Sequence, residues 1–275
     1  MDFIKMHGLG NDFIMVDESA VEGLNLHALA LRLCDRHTGI GADGLVVICK
    51  SDIADVRMRI FNADGSEAEM CGNASRCFAK YVYERGIIKG DEFGVETPAG
   101  IIVCKVNAEA GKVQSVTVDV GAPLLDCSDI PALGEGRFVL RELDVCGEKL
   151  NATAMFMGVP HCVIFENAVD VARVESVGPV VEHLPLFPRG TNVNFAHVTD
   201  PENIELATWE RGCGRTLACG TGSCATAIAG VLCGLTKRRV NIHLALGVLT
   251  IEWKENGRVY MTGPAAISFV GRVEL

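Results

Sequence analysis

Apolar residues recur along the chain in two patterns, and each predicts a different element. Short apolar or alternating runs, VRMRIF before Asn62 and NIELATW before Glu210, read as strands. So do the runs that follow a glycine loop in HGLGNDFIMV and MGVPHCVIF. Two longer stretches read as helices, one after Cys71 in EMCGNASRCFAKYVYERG and one after Cys219 in LACGTGSCATAIAGVLCG. Gly86 and Gly234 stand where a left-handed cap would close each helix. The second stretch is apolar or small almost all round, which predicts a helix buried on every side.

The two helical stretches belong to a wider repeat. Asn62 and Glu210 each lie nine residues before their cysteine. Asp43 in GIGADGL and Asn192 in RGTNVNF lie 28 and 27 residues before it, at glycine-containing turns. Asn11 and His161 lie 60 and 58 residues before it, where a glycine loop leads into a β-like run, and so occupy comparable places. The cysteines are 219 − 71 = 148 positions apart, near half of the 275 residues. This order predicts two pseudo-symmetric α+β domains, residues 1–118 carrying Cys71 and 119–262 carrying Cys219, with VDVGAPLLD as the junction. Facing one another, such halves would bring equivalent residues to an interdomain cleft, a preferred place for ligand sites.

Composition narrows the chemistry. The chain is 49% hydrophobic and 22% charged, as a globular protein is. Its formal net charge of −10 argues against a general attraction to nucleic acid or to an anionic membrane. The polar start MDFIKMHGLGND is unlike a signal peptide, and no apolar run approaches the roughly 18 residues of a membrane span, so a soluble, cytoplasmic protein is expected. The twelve cysteines include no C-x-x-C pair, and several (Cys34, Cys49, Cys104, Cys162, Cys233) lie in apolar segments as small hydrophobes would.

Cys71 and Cys219 differ from the rest because each opens a glycine-flanked helix. Backbone N–H groups at a helix start have no intrahelical acceptor and favour an anion. Glycines in Gly72-Asn73 and Gly220-Thr221-Gly222 would let the backbone approach one closely. Two such starts could hold a carboxylate while one thiolate removes the α-hydrogen of an amino acid and the opposing thiol protonates the other face. A thiol of pKa about 8.5 reaches both forms after modest shifts. A helix start contributes only about 0.3–1 kcal/mol, so polar neighbours such as His161 and Glu210 must share in activating the pair. The thiols would titrate as a coupled pair with one charged at a time. Metal binding is disfavoured: at about 100° per residue, Cys71 and Cys77 point about 240° apart and Cys219 and Cys224 about 140° apart. A Cys71–Cys219 disulfide would be an inactivated state in a reducing compartment.

The segments FIKMHGLGNDF, RHTGIGADG, FNADGSEAEMCGNASRC, MGVPHCV, NVNF, WERGCGRTLACGTGSCA and the terminal GPA together resemble the diaminopimelate epimerase family from end to end. The resemblance implies a fold of two domains, each a curled, mostly antiparallel sheet around a central helix, with the last strand, 263–275, returning to the first domain. It implies epimerisation of LL-2,6-diaminopimelate to the meso form, in lysine and peptidoglycan biosynthesis, with no cofactor and no metal. It assigns Cys71 and Cys219 as acid and base, supported by His161 and Glu210. Gly72, Asn73, Gly220 and Thr221 would hold the reacting carboxylate. Asn11, Asn62, Asn192, Glu210 and Arg211 would bind the rest of the substrate, Arg211 as a bidentate partner of the distal carboxylate. A homodimer is implied, with Phe269 where an interface tyrosine is often seen.

Two positions depart from the family pattern. Gly158-Val159-Pro160-His161 stands where many members read G-N-P-H, and Gly44 where some carry glutamine. An apolar Val159 cannot replace an amide's hydrogen bonds to the distal end of the substrate. Related cofactor-independent racemases of histidine or of a lanthionine-like diamino acid are therefore the nearest alternative. Binding proteins, and isomerases resembling the phenazine-biosynthesis proteins, share the fold but not the cysteine pair.

Overall fold

A computed structural model describes residues 1–275. The chain forms two compact units, Met1–Asp119 with Thr262–Leu275, and Val120–Met261. Both are mixed α+β, built mostly of strands.

The first unit begins with β1 (Asp2–Gly8), β2 (Asn11–Asp17), α1 (Leu26–Cys34), β3 (Gly44–Cys49) and β4 (Val56–Asn62). It continues with β5 (Glu67–Ala68), α2 (Gly72–Glu84), β6 (Glu92–Thr97), β7 (Gly100–Glu109) and β8 (Lys112–Asp119). β2 pairs antiparallel with β1 and parallel with β3, and β4 pairs antiparallel with β3 and parallel with β6. The antiparallel ladders β6–β7 and β7–β8 continue the series. This sheet curls around α2, which touches β1, β2, β3, β4, β7 and β8. Enclosure on so many sides explains why α2 buries ten residues, among them Phe78, Tyr81 and Val82. The shorter α1 covers the outside of β3 and β4 through Leu29, Ala30, Leu33 and Cys34, and Asn25 caps it by accepting from the Ala28 N–H.

The second unit contains β9 (Arg141–Val145), β10 (Glu148–Met157), β11 (Val159–Phe165), α3 (Val171–Glu182), β12 (Asn192–Asp200) and β13 (Asn203–Glu210). There follow β14 (Gly214–Thr216), α4 (Gly220–Leu232), β15 (Arg239–Leu244), β16 (Gly247–Trp253) and β17 (Val259–Gly263). The ladders repeat the first unit's pattern: β10–β11 antiparallel, β11–β12 parallel, β12–β13 antiparallel, β13–β15 parallel and β15–β16 antiparallel. Here α4 is the central helix, in contact with β10, β11, β12, β13, β15 and β16. Its run of glycine, alanine, serine and threonine lets strands pack close to its axis, and the expected burial on all sides is observed. Gly86 (φ +69°) and Gly234 (φ +70°) adopt the left-handed conformation that closes α2 and α4.

The chain re-enters the first unit at Thr262, and β18 (Ala266–Arg272) pairs antiparallel with β1. In the second unit β9 holds the same place beside β10. One ladder is thus completed by a strand from the end of the chain, the other by the strand just before β10 in sequence.

Replacing Phe78 by alanine should empty the centre of the first unit's core and cost about 3–5 kcal/mol. A urea-unfolding midpoint that did not move would show that α2 is not the element the sheet packs upon.

Candidate active site

In the first unit the hairpin β4–β5 delivers the chain to Cys71, the extended N-cap residue of α2 (φ −144°, ψ 118°). Its carbonyl accepts from the Ser75 N–H (2.8 Å) and hydroxyl (2.9 Å), so the cysteine backbone is fixed at the helix start. The half-buried thiol lies 3.8 Å from Asn11 Oδ1. That oxygen also accepts from Asn73 Nδ2 at 3.1 Å. Asn11 cannot turn its amide round, because its Nδ2 donates to the carboxylate of Asp43 (2.7 Å), which can only accept. Arg36 bridges Asp43 (2.8 Å) and Asp12 (2.7 Å), and the buried Lys5 pairs with Asp12 at 2.7 Å. Burial pushes the Asp12 carboxyl upward, yet hydrogen bonds from Arg36 and Lys5 outweigh it and hold the group down to about 2. A charged network thereby anchors the glycine loop that carries Asn11.

Asn62 ends β4, is exposed, and uses its Nδ2 on Ser66 Oγ (3.0 Å) to close the following turn. Gly72 and Asn73 are buried in the first turn of α2. Beneath them lies Arg76, which the sequence reading passed over. It is fully buried and donates to Asn73 Oδ1 (2.8 Å), Gly72 O (3.2 Å) and Pro264 O (3.2 Å). Nothing in the sequence set it apart, since α2 also carries Asn73, Ser75, Lys80 and Glu84. Gly44 is a packing glycine here: a Cβ would stand 2.9 Å from the Phe61 carbonyl oxygen.

The second unit repeats the cap with a more buried sulfur. Cys219 is the N-cap of α4 (φ −113°, ψ 109°), and its Sγ accepts the Gly222 N–H at 3.3 Å and lies 3.6 Å from Thr221 Oγ1. Burial pushes this thiol well above its ordinary pKa, and the Glu210 carboxylate beside it acts in the same direction. The Thr221 hydroxyl and the Gly222 N–H pull it down but lose. The contribution of the helix start is therefore real and insufficient, as its magnitude implies.

Glu210, at the end of β13, accepts from the Thr216 hydroxyl at 2.5 Å. Asn192 Oδ1 accepts the Arg211 N–H at 2.7 Å, and the exposed Arg211 guanidinium donates to Arg189 O at 2.8 Å. The buried carboxylate of Glu182 completes this corner by accepting from Trp209 Nε1 (2.6 Å) and the Gly212 N–H (3.0 Å). Glu182 carried no signal in the sequence beyond an acidic residue near a helix end. His161 is wholly buried in β11, and that burial, with the Arg211 charge adding to it, depresses its pKa to about 3. Gly220 and Thr221 form the first turn of α4. All twelve cysteines are free thiols.

Strand register corrects two of the expected correspondences. Phe13 pairs with Gly44 as His161 pairs with Asn192, and Val46 with Ile60 as Asn194 with Thr208. The offset is constant through these elements: 161 − 13, 192 − 44, 208 − 60 and 219 − 71 all equal 148. His161 is thus level with Phe13, and Asn192 with Gly44 rather than Asp43. Asn11 has Val159 as its counterpart. Matching polar residues by type had paired side chains that lie one or two rungs apart. Gly222 also has an internal reason to be glycine, since a Cβ there would stand 2.5 Å from Asn194 Oδ1.

The family model for diaminopimelate epimerase matches residues 3–125 and 153–268. The chain belongs to the diaminopimelate epimerase family. The unmatched stretch between those segments holds β9, the connections on either side of it and the first half of β10. The diaminopimelate epimerase of Moorella thermoacetica is 54% identical to this chain over 275 residues, 98% of each protein. That of Caldanaerobacter subterraneus subsp. tengcongensis is 50% identical over 276 residues, 100% of each. Among solved structures, a PhzF-family phenazine biosynthesis protein of Bacillus anthracis superposes with a TM-score of 0.74 at 15% identity, covering 100% of this chain and 99% of that one. A probable proline racemase of Agrobacterium radiobacter gives 0.70 at 16% identity, covering 100% and 93%. At these identities the likeness concerns the fold of diaminopimelate epimerases and not their chemistry.

Removing the charge next to Cys219 should release its thiol. In the Glu210→Gln variant the pH profile of Cys219 alkylation by iodoacetamide, followed by peptide mass spectrometry, should move to lower pH. A profile that stays in place would mean that Glu210 does not act on this sulfur.

Proposed function

We propose that the chain epimerises LL-2,6-diaminopimelate to the meso isomer by two-base proton transfer between Cys71 and Cys219, with no cofactor. The observation that carries this reading is the duplicated N-cap: two cysteines, 148 positions apart, each opening the central helix of its unit. Identity of about 50% with diaminopimelate epimerases over the whole chain supports the substrate.

The chemistry follows from the two environments. Cys219, whose thiol is favoured by burial and by Glu210, enters as the acid. Cys71, half-buried, enters as the thiolate and takes the α-hydrogen as a proton. The electron pair left on the α-carbon spreads into the carboxylate, held by N–H groups at the helix starts of Gly72, Asn73, Gly220 and Thr221. Cys219 then protonates the opposite face and becomes the thiolate, so the reverse direction begins with the charges exchanged. His161 and Glu210 support the pair. Asn11, Asn62, Asn192, Glu210 and Arg211 act on the remainder of the substrate, Asn192 by setting the Arg211 backbone. The enzyme works in the reducing cytoplasm, where its thiols stay free and lysine biosynthesis draws on the product.

Val159 favours a second reading. At the rung where the first unit has Asn11, the second unit has no amide, and a substrate with a different distal end is then accommodated. In deuterated water the reduced protein should exchange the α-hydrogen of LL-diaminopimelate and accumulate the meso form, while Cys71→Ala and Cys219→Ala should each lose full epimerisation. Exchange on histidine but not on diaminopimelate would replace the substrate and keep the mechanism. Normal turnover by the Cys219→Ala variant would end the two-base reading.

A homodimer is also proposed, through the strand β18. Ile267, Phe269 and Val270 expose 44%, 49% and 69% of their surface there, and Phe269 is braced edge-on against Phe3. A second copy would cover this apolar strip. Phe269→Glu should convert a dimer to a monomer in sedimentation velocity; a wild-type protein that sediments as a monomer at micromolar concentration contradicts the proposal.

A further inference from the structure

At three equivalent positions on adjacent strands the two units differ in kind. In the first, the cross-strand pair Val46–Ile60 and Phe13, which pairs with Gly44 two residues along β3, are apolar and buried. In the second, the equivalent positions are the pair Asn194–Thr208 and His161, which pairs with Asn192 two residues along β12, all buried and all polar. Packing alone does not call for polar groups at these positions, since the first unit fills them with hydrocarbon.

The donors and acceptors around Asn194 leave a single arrangement. Its Nδ2 lies 3.3 Å from the carbonyl oxygen of Cys162, which can only accept, so this atom is the amide nitrogen. Its Oδ1 accepts from the Thr208 hydroxyl at 3.0 Å. The second Nδ2 hydrogen points at His161 Nδ1, 3.2 Å away. Facing a donor, Nδ1 must present its lone pair, and the ring's one proton must sit on Nε2. An imidazolium, with hydrogens on both nitrogens, would clash with the amide. Nε2 is buried and has no hydrogen-bond partner in the protein. Leaving a buried N–H unpaired costs about 1–3 kcal/mol, so such a group persists where an acceptor arrives later.

We infer that Asn194 is a positioning residue that locks His161 as the Nε2–H tautomer, so that His161 acts as a hydrogen-bond donor to a carboxylate oxygen of the bound amino acid and not as a proton acceptor. On an amino acid the carboxylate is the acceptor, while the ammonium only donates. The strongly depressed basicity of His161 agrees, because a ring neutral across the physiological range has no proton to exchange. Asn194 reaches the catalytic cap as well: its Oδ1 rests against Gly222, whose N–H is the donor to Cys219 Sγ. One carboxamide therefore sets both the histidine tautomer and the turn under the cysteine.

This inference rests on the amino-acid epimerase reading for its ligand, but its first test does not. Nitrogen-15 NMR of the ligand-free protein labelled at histidine, with His161 assigned by its loss in His161→Gln, should show a lone-pair nitrogen at δ1 and a protonated nitrogen at ε2, unchanged from pH 5 to pH 8. A proton at δ1, or a titration within that range, overturns the proposal whether or not diaminopimelate is the substrate. In Asn194→Asp the carboxylate can only accept, so the proton should move to δ1 and the ring should begin to titrate. The rate of α-hydrogen exchange should then fall by roughly tenfold or more, with a new limb in its pH profile. Thr208→Val, which leaves the Nδ2 contact in place, should retain the wild-type tautomer. A folded Asn194→Asp protein with the wild-type nitrogen spectrum and pH profile would also refute the assignment.

Discussion

A helix enclosed by its own sheet must still begin somewhere, and the N–H groups of its first turn have no acceptor within the helix. This constraint shapes both units. α2 and α4 are surrounded by strands along their length, and each opens at a cysteine whose extended backbone turns the chain from a short strand into the helix. The polar groups that gather at each start follow from it. Asn11, Asn73 and Arg76 meet the first turn of α2, while Thr221 and the Asn192–Arg211 corner stand in the unit that holds α4. A buried helix start with donors to spare is an anion site, and a thiol at its cap is a group that can exchange a proton beside that anion.

The same backbone supports unlike chemistry in its two copies. Burial is the main reason: Cys219 is enclosed where Cys71 is half open, and removing solvent penalises a thiolate more than one N–H at 3.3 Å can repay. Three strand positions carry the difference further. Phe13, Val46 and Ile60 pack one unit as an apolar layer, whereas His161, Asn194 and Thr208 make a hydrogen-bonded set whose donors and acceptors admit one arrangement. A racemising enzyme must treat both faces of one carbon, but the two faces belong to different substrate isomers, so exact symmetry of the two groups is not required.

Support for these sites lies one layer behind them. The Lys5–Asp12–Arg36–Asp43 network fixes the direction of the Asn11 amide, and Glu182 fixes the turn after Trp209. In each case a carboxylate, which can only accept, dictates which way a neighbouring donor points. Such partners are scattered in sequence and adjacent in space, which is why they escape a reading of motifs.

What the sequence by itself determined was the repeat, the strand and helix types, the glycine caps at Gly86 and Gly234, and the cysteines at the starts of two helices. These are local matters: periodicity, turn chemistry and spacing are written in consecutive residues. The roles of Arg76, Glu182 and Asn194 were decided by tertiary structure, because a polar residue among apolar ones has no visible partner until strands from distant segments align. Register was decided there too. Counting back from each cysteine paired Asn11 with His161 by resemblance of type, but ladder hydrogen bonds set Asn11 level with Val159 and His161 level with Phe13. A β-ladder admits one register when both faces are packed, and that choice is made by the whole sheet and not by any one segment of it.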